Sequence, residues 1–240
     1  MGRFKTTSRS GTSENVRIYS MEETILTSNQ RAVLECLAQD KYITDNFYLT
    51  GGTTLSEFYF KHRLSEDLDL FSEKDYDSKK VIIWIKKTAA DLEIQKLEQQ
   101  KLTGQDIFYL YFRKSNFVKI DFSYFPFPHL GEFTKYKNLK IASIEDIAVN
   151  KIQAIITRKR SRDYLDLYLC SKHLRWTPKD MQKSYRLKFD TYISYEQLAT
   201  SFTNIVDSSD LPKFLENTPW SEVKKYFLSQ VANLKNKVIK

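Results

Sequence analysis

The stretch from Phe47 to Phe71, FYLTGGTTLSEFYFKHRLSEDLDLF, constrains this chain more than any other. An apolar run ends in two glycines, a short amphipathic helix follows, and an alternating strand then carries Asp67 and Asp69. Residues i and i+2 of a strand share a face, so Leu68 and Leu70 pack inward while the two carboxylates project together. A Gly-Gly turn lets backbone N–H groups and a helix N-terminus approach a phosphate closely, with Thr53 and Thr54 opening the helix here. Paired carboxylates suit the Mg²⁺ that such a phosphate brings. The stretch therefore predicts a metal-dependent nucleotide site.

At 240 residues, 41% hydrophobic and 14% aromatic, the chain can bury a core, which excludes a disordered class. The apolar runs Val81–Ile85 and Ile152–Ile156 are too short to span a bilayer. The polar N-terminus shows no secretory signal, so residues 1–26 are expected to form a loose tail and the protein to be cytoplasmic, without a membrane. Cys36 and Cys170 lack any metal spacing and read as reduced core cysteines. Of 38 basic and 30 acidic residues, 18 of each fall within residues 1–130, leaving 20 basic against 12 acidic in residues 131–240. The whole surplus of +8 thus lies in the C-terminal part. That suits a polyanionic partner such as RNA, although a lysine-rich composition alone would also produce it.

Hydrophobic periodicity predicts helices at 28–39, 53–61 and 78–93, the last presenting Ile82, Ile85 and Ala89 to a core. It predicts strands at 47–50, 68–71, 94–98, 107–113 and 117–125, with turns at 103–104 and 114–116. PFPHLG, residues 126–131, breaks the pattern, and strand signals nearly vanish after it. Helices are expected at 143–158, 162–173, 178–187, 194–203 and 220–240, the first behind a Ser143/Asp146 capping box. The expected class is α+β: a mixed sheet with helices over 27–130, then an all-helical bundle over 131–240.

In VKIDF, residues 118–122, alternation turns Lys119 and Asp121 away from Val118, Ile120 and Phe122. A third carboxylate on a strand beside Asp67 and Asp69 would allow two Mg²⁺ ions; a solvent-facing Asp is the plainer reading. The Gly51-Gly52 turn, Asp67-Leu68-Asp69 and the later Asp121 resemble the nucleotidyltransferase fold of polymerase-β type. LTGGTTL and HRLSEDLDLF, with IEDIAVNK ending at Lys151 and RSRDYLDL containing Asp163, are similar to the signature of AbiEii-type toxins of bacterial toxin–antitoxin and abortive infection systems. The resemblance covers roughly residues 47–169. This chain has Gly-Gly where many nucleotidyltransferases have Gly-Ser, and Thr54 where the family often has Ala.

The resemblance implies roles. Gly51, Gly52 and Thr53 would lie under the nucleotide phosphates, with Ser65 beside them and Arg63 and Arg160 as phosphate contacts. Asp67 and Asp69 would be catalytic metal ligands, with Asp121 as the third. Lys151 would pair with the triphosphate, and Asp163 would complete the site or orient Lys151. The implied reaction is Mg²⁺-dependent transfer of a nucleotide from an NTP to RNA, such as a tRNA 3′ end, by a toxin restrained by an antitoxin. Nucleotidyl transfer to a small molecule such as an antibiotic, and a non-catalytic NTP-binding module, are the alternatives. In isolation, Lys151 also reads as a snorkelling lysine, and Asp163 and Asp166 as first-turn acids complementing a helix dipole.

Overall fold

The computed structural model describes residues 24–113, 116–215 and 218–238. Helix α1, Ser28–Gln39, starts at a Thr27/Gln30 capping box, and α2, Lys41–Asn46, is capped by Asp40. Strand β1, Tyr48–Thr50, runs straight into α3, Gly51–Leu55, which widens into a π-helical turn over Ser56–Phe60 and stops at left-handed Lys61. Strand β2, Asp67–Ser72, and helix α4, Ser78–Asp91, follow, then β3, Lys96–Leu102, β4, Gln105–Tyr111, and β5, Phe117–Tyr124. Two short strands, β6, Thr134–Tyr136, and β7, Leu139–Ile141, precede the helices. These are α5, Ile144–Thr157; α6, Ser161–Leu174; α7, Pro178–Phe189; α8, Tyr195–Thr203; and α9, Trp220–Val238.

The strands form one mixed sheet in the order β3-β4-β5-β2-β1-β7-β6. Strand β2 pairs antiparallel with β1 and parallel with β5, and β1 pairs parallel with β7. One face carries Leu68, Leu70, Ile120 and Phe122, packed against Val33 and Leu37 of α1 and Val81 and Ile85 of α4. Every second residue of β2 and β5 is thereby pinned to that face, and the intervening Asp67, Asp69 and Asp121 must lie on the other. The C-terminal helices build a second core that takes in Tyr48 and Leu55.

Three expectations shift. Strand pairing does not stop at residue 130: β7 joins β1 directly, so the sheet ends at Ile141 and the all-helical part begins with α5. TKYKNLKI, residues 134–141, is too short and lysine-rich to stand out, and pairing with β1 rather than its own pattern makes it a strand. The buried face of α4 is Val81, Trp84, Ile85 and Thr88, with Ile82 and Ala89 at its margin. Residues 24–26 are anchored, with Leu26 buried and the Ile25 N–H donating to Glu57 Oε2 at 2.9 Å, whereas the rest of the expected tail lies outside the described residues. So does part of the turn at 114–116. No helix among the described residues is long and apolar enough to cross a membrane.

Candidate active site

Register assembles the carboxylates. Across the parallel β2–β5 pair, Asp69 faces Asp121 and Asp67 faces Lys119, while Thr50 of β1 faces Asp69 from the other side. The Lys119 ammonium lies 3.2 Å from Asp67 Oδ2 and 3.8 Å from Asp121 Oδ2. Asp121 is held elsewhere too: Gln105 Nε2 donates to both of its oxygens at 2.7 Å, and Ser123 Oγ donates to Oδ1 at 2.9 Å.

Asp69 differs. Among the described residues its carboxylate accepts no hydrogen bond and makes no ion pair. Burial pushes its pKa up to about 6, with Asp121 and Asp67 adding repulsion that Lys119 and Lys151 only partly offset. Its hard oxygen donors and uncompensated charge suit a divalent cation, and Asp67 is two residues away on the same face. Asp121 fits less well as a third ligand, because its oxygens already serve Gln105 and Ser123. Among the described residues no three His, Cys, Asp or Glu side chains are gathered to hold a metal ion.

The glycines wedge between this face and a second cluster. Gly51 has φ +81°, and a Cβ there would lie 2.0 Å from Asp69 Oδ2. A Cβ on Gly52 would lie 2.0 Å from Arg63 Nη2 and 3.4 Å from Asp166 Oδ2. Side chains close on both backbone positions, so any larger residue would displace a carboxylate or a guanidinium. The Thr53 hydroxyl donates to the Asp67 carbonyl and the Thr54 hydroxyl to that of Thr50, locking the turn between the two strands. The Thr53 side chain is thus buried and engaged with the protein rather than presented to a ligand.

The second cluster is built by α5, α6 and the loop before β2. Arg63 grips Asp166 through Nε at 2.7 Å and Nη2 at 2.8 Å, and its Nη1 donates to the Leu64 carbonyl. His62 Nε2 donates to Asp166 Oδ1 at 2.8 Å. The Lys151 ammonium lies 2.7 Å from both Asp163 Oδ1 and Asp166 Oδ2, and Arg158 Nε donates to Asp163 Oδ2 at 2.8 Å. Burial alone would raise the pKa of both aspartates, but Arg63 and Lys151 hold Asp166 well below the usual carboxylate range, and Lys151 and Arg158 hold Asp163 down. Burial likewise opposes the Lys151 charge, and Asp166 and Asp163 outweigh it.

The expected site residues therefore divide. Asp67 and Asp69 share a face with Asp121, and Gly51 abuts Asp69. Lys151 and Asp163 are joined, yet Lys151 is buried between two carboxylates, with two of its three protons directed at protein. Arg63 is a buried clamp on Asp166 that also lines the cleft holding Ser65 and Asp67. Ser65 lines a cleft of about 350 Å³ shared with Asp67 and Arg162, its carbonyl held by Gln30 Nε2 at 2.9 Å. Arg160 is exposed ahead of α6 and is not drawn into either cluster. Missing from the expected set are Asp166 and His62. Asp166 stands three residues after Asp163, on the same helix face, and His62 directly precedes Arg63.

Comparison with known proteins identifies the family. The model of the nucleotidyl transferase AbiEii toxin family, type IV toxin–antitoxin system, matches residues 32–228. JHP933 from Helicobacter pylori superposes with a TM-score of 0.60 at 18% identity, over 87% of this chain and 89% of that one. MenT4, a nucleotidyltransferase toxin from Mycobacterium tuberculosis, gives a TM-score of 0.46 at 11% identity, over 84% and 82%. No curated protein matches in sequence. The chain belongs to the AbiEii nucleotidyltransferase toxin family and is a nucleotidyltransferase.

Proposed function

We propose that this AbiEii family member transfers a nucleotide from an NTP to RNA, with a tRNA 3′ end as acceptor, in a Mg²⁺-dependent reaction that a cognate antitoxin restrains. The observation that carries the reading is Asp69: a carboxylate against a glycine backbone, beside Asp67 and Asp121, with its charge uncompensated. Asp67 and Asp69 would hold the cation, which supplies charge neutralisation for the triphosphate and acidifies the attacking hydroxyl.

The chain's own groups do the rest. Gly51 brings bare backbone up to Asp69, and the remaining Lys151 proton would be offered to a phosphate oxygen. The Asp163 and Asp166 carboxylates fix the Lys151 ammonium, so the cation is in place before substrate arrives, which favours transition-state charge over solvent reorganisation. Arg63 contributes by orienting Asp166.

The basic helical part supports an RNA acceptor. Lys179, Lys183 and Arg186 project from α7 around a surface groove with exposed Tyr192, and none makes an ion pair among the described residues. Cations beside an exposed ring suit phosphates and an unstacked base. The test is incubation with each α-labelled NTP plus total tRNA, or plus candidate antibiotics. Label in tRNA with wild type and none with Asp69→Asn is expected. Label in an antibiotic would replace RNA by a small-molecule acceptor, and label in neither would overturn the reading.

A further inference from the structure

Lys119 is a residue for which the proposed reaction has no role. It is the register partner of Asp67 on β5, and six consecutive residue pairs between β2 and β5 fix its Cα. Its side chain is 21% exposed, and its ammonium lies between Asp67 Oδ2 and Asp121 Oδ2 at 3.2 and 3.8 Å. The neighbouring oxygens are tied down from the far side, where Gln105 and Ser123 hold Asp121.

A two-metal site needs carboxylates shared between two cations, but here the gap between Asp67 and Asp121 is already bridged by a cation of the chain itself. The carboxylate left without such a bridge is Asp69. We infer that Lys119 is a resident counter-ion that takes the place of one divalent cation, so that the site binds a single ion, held by Asp67 and Asp69. This rests on the proposed metal role of those two carboxylates and deepens it: Lys119 limits the number of ions and positions Asp67, without itself touching the reacting atoms.

A lysine that merely stabilises the fold would leave ion binding unchanged on removal. The test is Mn²⁺ titration of the full chain without nucleotide, read by electron paramagnetic resonance, for wild type, Lys119→Met and Lys119→Arg. Thermal melting is followed in parallel to establish that each variant is folded. Wild type and Lys119→Arg are expected to bind one Mn²⁺. Lys119→Met is expected to bind a second ion, or the first about tenfold more tightly, because a unit positive charge a few ångströms away is gone. Equal stoichiometry and affinity in folded Lys119→Met and wild type would overturn the inference. Should Lys119→Met unfold, Lys119→Gln takes its place with the same two outcomes. Asp69→Asn separates the layers: loss of Mn²⁺ there upholds the carboxylate assignment even if Lys119→Met behaves as wild type, whereas unchanged binding in Asp69→Asn removes the metal reading itself and the Lys119 inference with it.

Discussion

Two groups of aspartates lie on either side of the Gly51-Gly52 turn, and the protein treats them oppositely. In the group beyond Gly52, Asp163 and Asp166 meet Lys151, Arg158, Arg63 and His62 at hydrogen-bonding distance, and their pKa values fall. In the group beyond Gly51, Asp69 has two carboxylate neighbours and no direct cation, and its pKa rises to about 6. Asp163 and Asp166 are fully buried and Asp67 and Asp69 only half-buried, yet it is the more deeply buried group whose pKa values fall, so burial is not the difference. Compensation is. A compensated buried network specifies structure, whereas an uncompensated carboxylate is held at a cost that only a ligand repays.

The contrast can be broken most sharply by neutralising one member of each group. Asp69→Asn is expected to lower nucleotide transfer by about a hundredfold or more, since it removes one of the two proposed cation ligands. Asp166→Ala should act on stability as well as on the placing of Lys151, costing about 3–5 kcal/mol in denaturant unfolding, because Arg63, Lys151 and His62 are left buried without their shared partner. If Asp166→Ala unfolds at wild-type denaturant concentration, the network is not structural.

Glycine substitutions sharpen the boundary between the groups. Gly51→Ala combines a left-handed backbone with collision against Asp69, and should cost about 1–2 kcal/mol from the backbone alone while weakening activity further. Gly52→Ala pushes on Arg63 and should cost about 1–3 kcal/mol by overpacking. Its melting temperature should therefore fall out of proportion to any change in Mn²⁺ binding.

The smallest effect is in pH dependence, and its sign differs between the groups. Asp163 and Asp166 have folded pKa values below the unfolded value of about 4, so their contribution is present above that pH and is lost as pH falls below it through the folded values. Asp69 has a raised folded pKa, so its contribution is present below about pH 4 and is lost as pH rises to about 6. Melting curves of wild type and Asp69→Asn should therefore diverge between pH 4 and 6, with wild type losing relative stability. Parallel curves would mean that Asp69 is not desolvated beside its neighbours.

The sequence revealed one group more readily than the other, for a physical reason. Asp67, Asp69 and Asp121 sit on strands whose period-2 alternation is visible in DLDLF and VKIDF, and the register followed from burying Leu68, Leu70, Ile120 and Phe122. Which helix faces meet is not written in a period, so Asp166 and His62, joined across 104 residues of chain, stayed hidden although each lies inside a motif. The partner of Arg63 was hidden for the same reason: nothing local to the motif shows that its guanidinium clamps Asp166. Strands β6 and β7 escaped because short lysine-rich segments become strands only when an existing sheet edge receives them.

The central claim is that Asp69 is kept uncompensated for function. Measuring melting temperature and label transfer from NTP to tRNA on the same preparations of wild type and Asp69→Asn tests it most directly. Transfer should be lost while melting at pH 7 stays equal or rises, because removing a repelled, desolvated charge relieves the fold. A variant that melts lower yet still transfers label would contradict it.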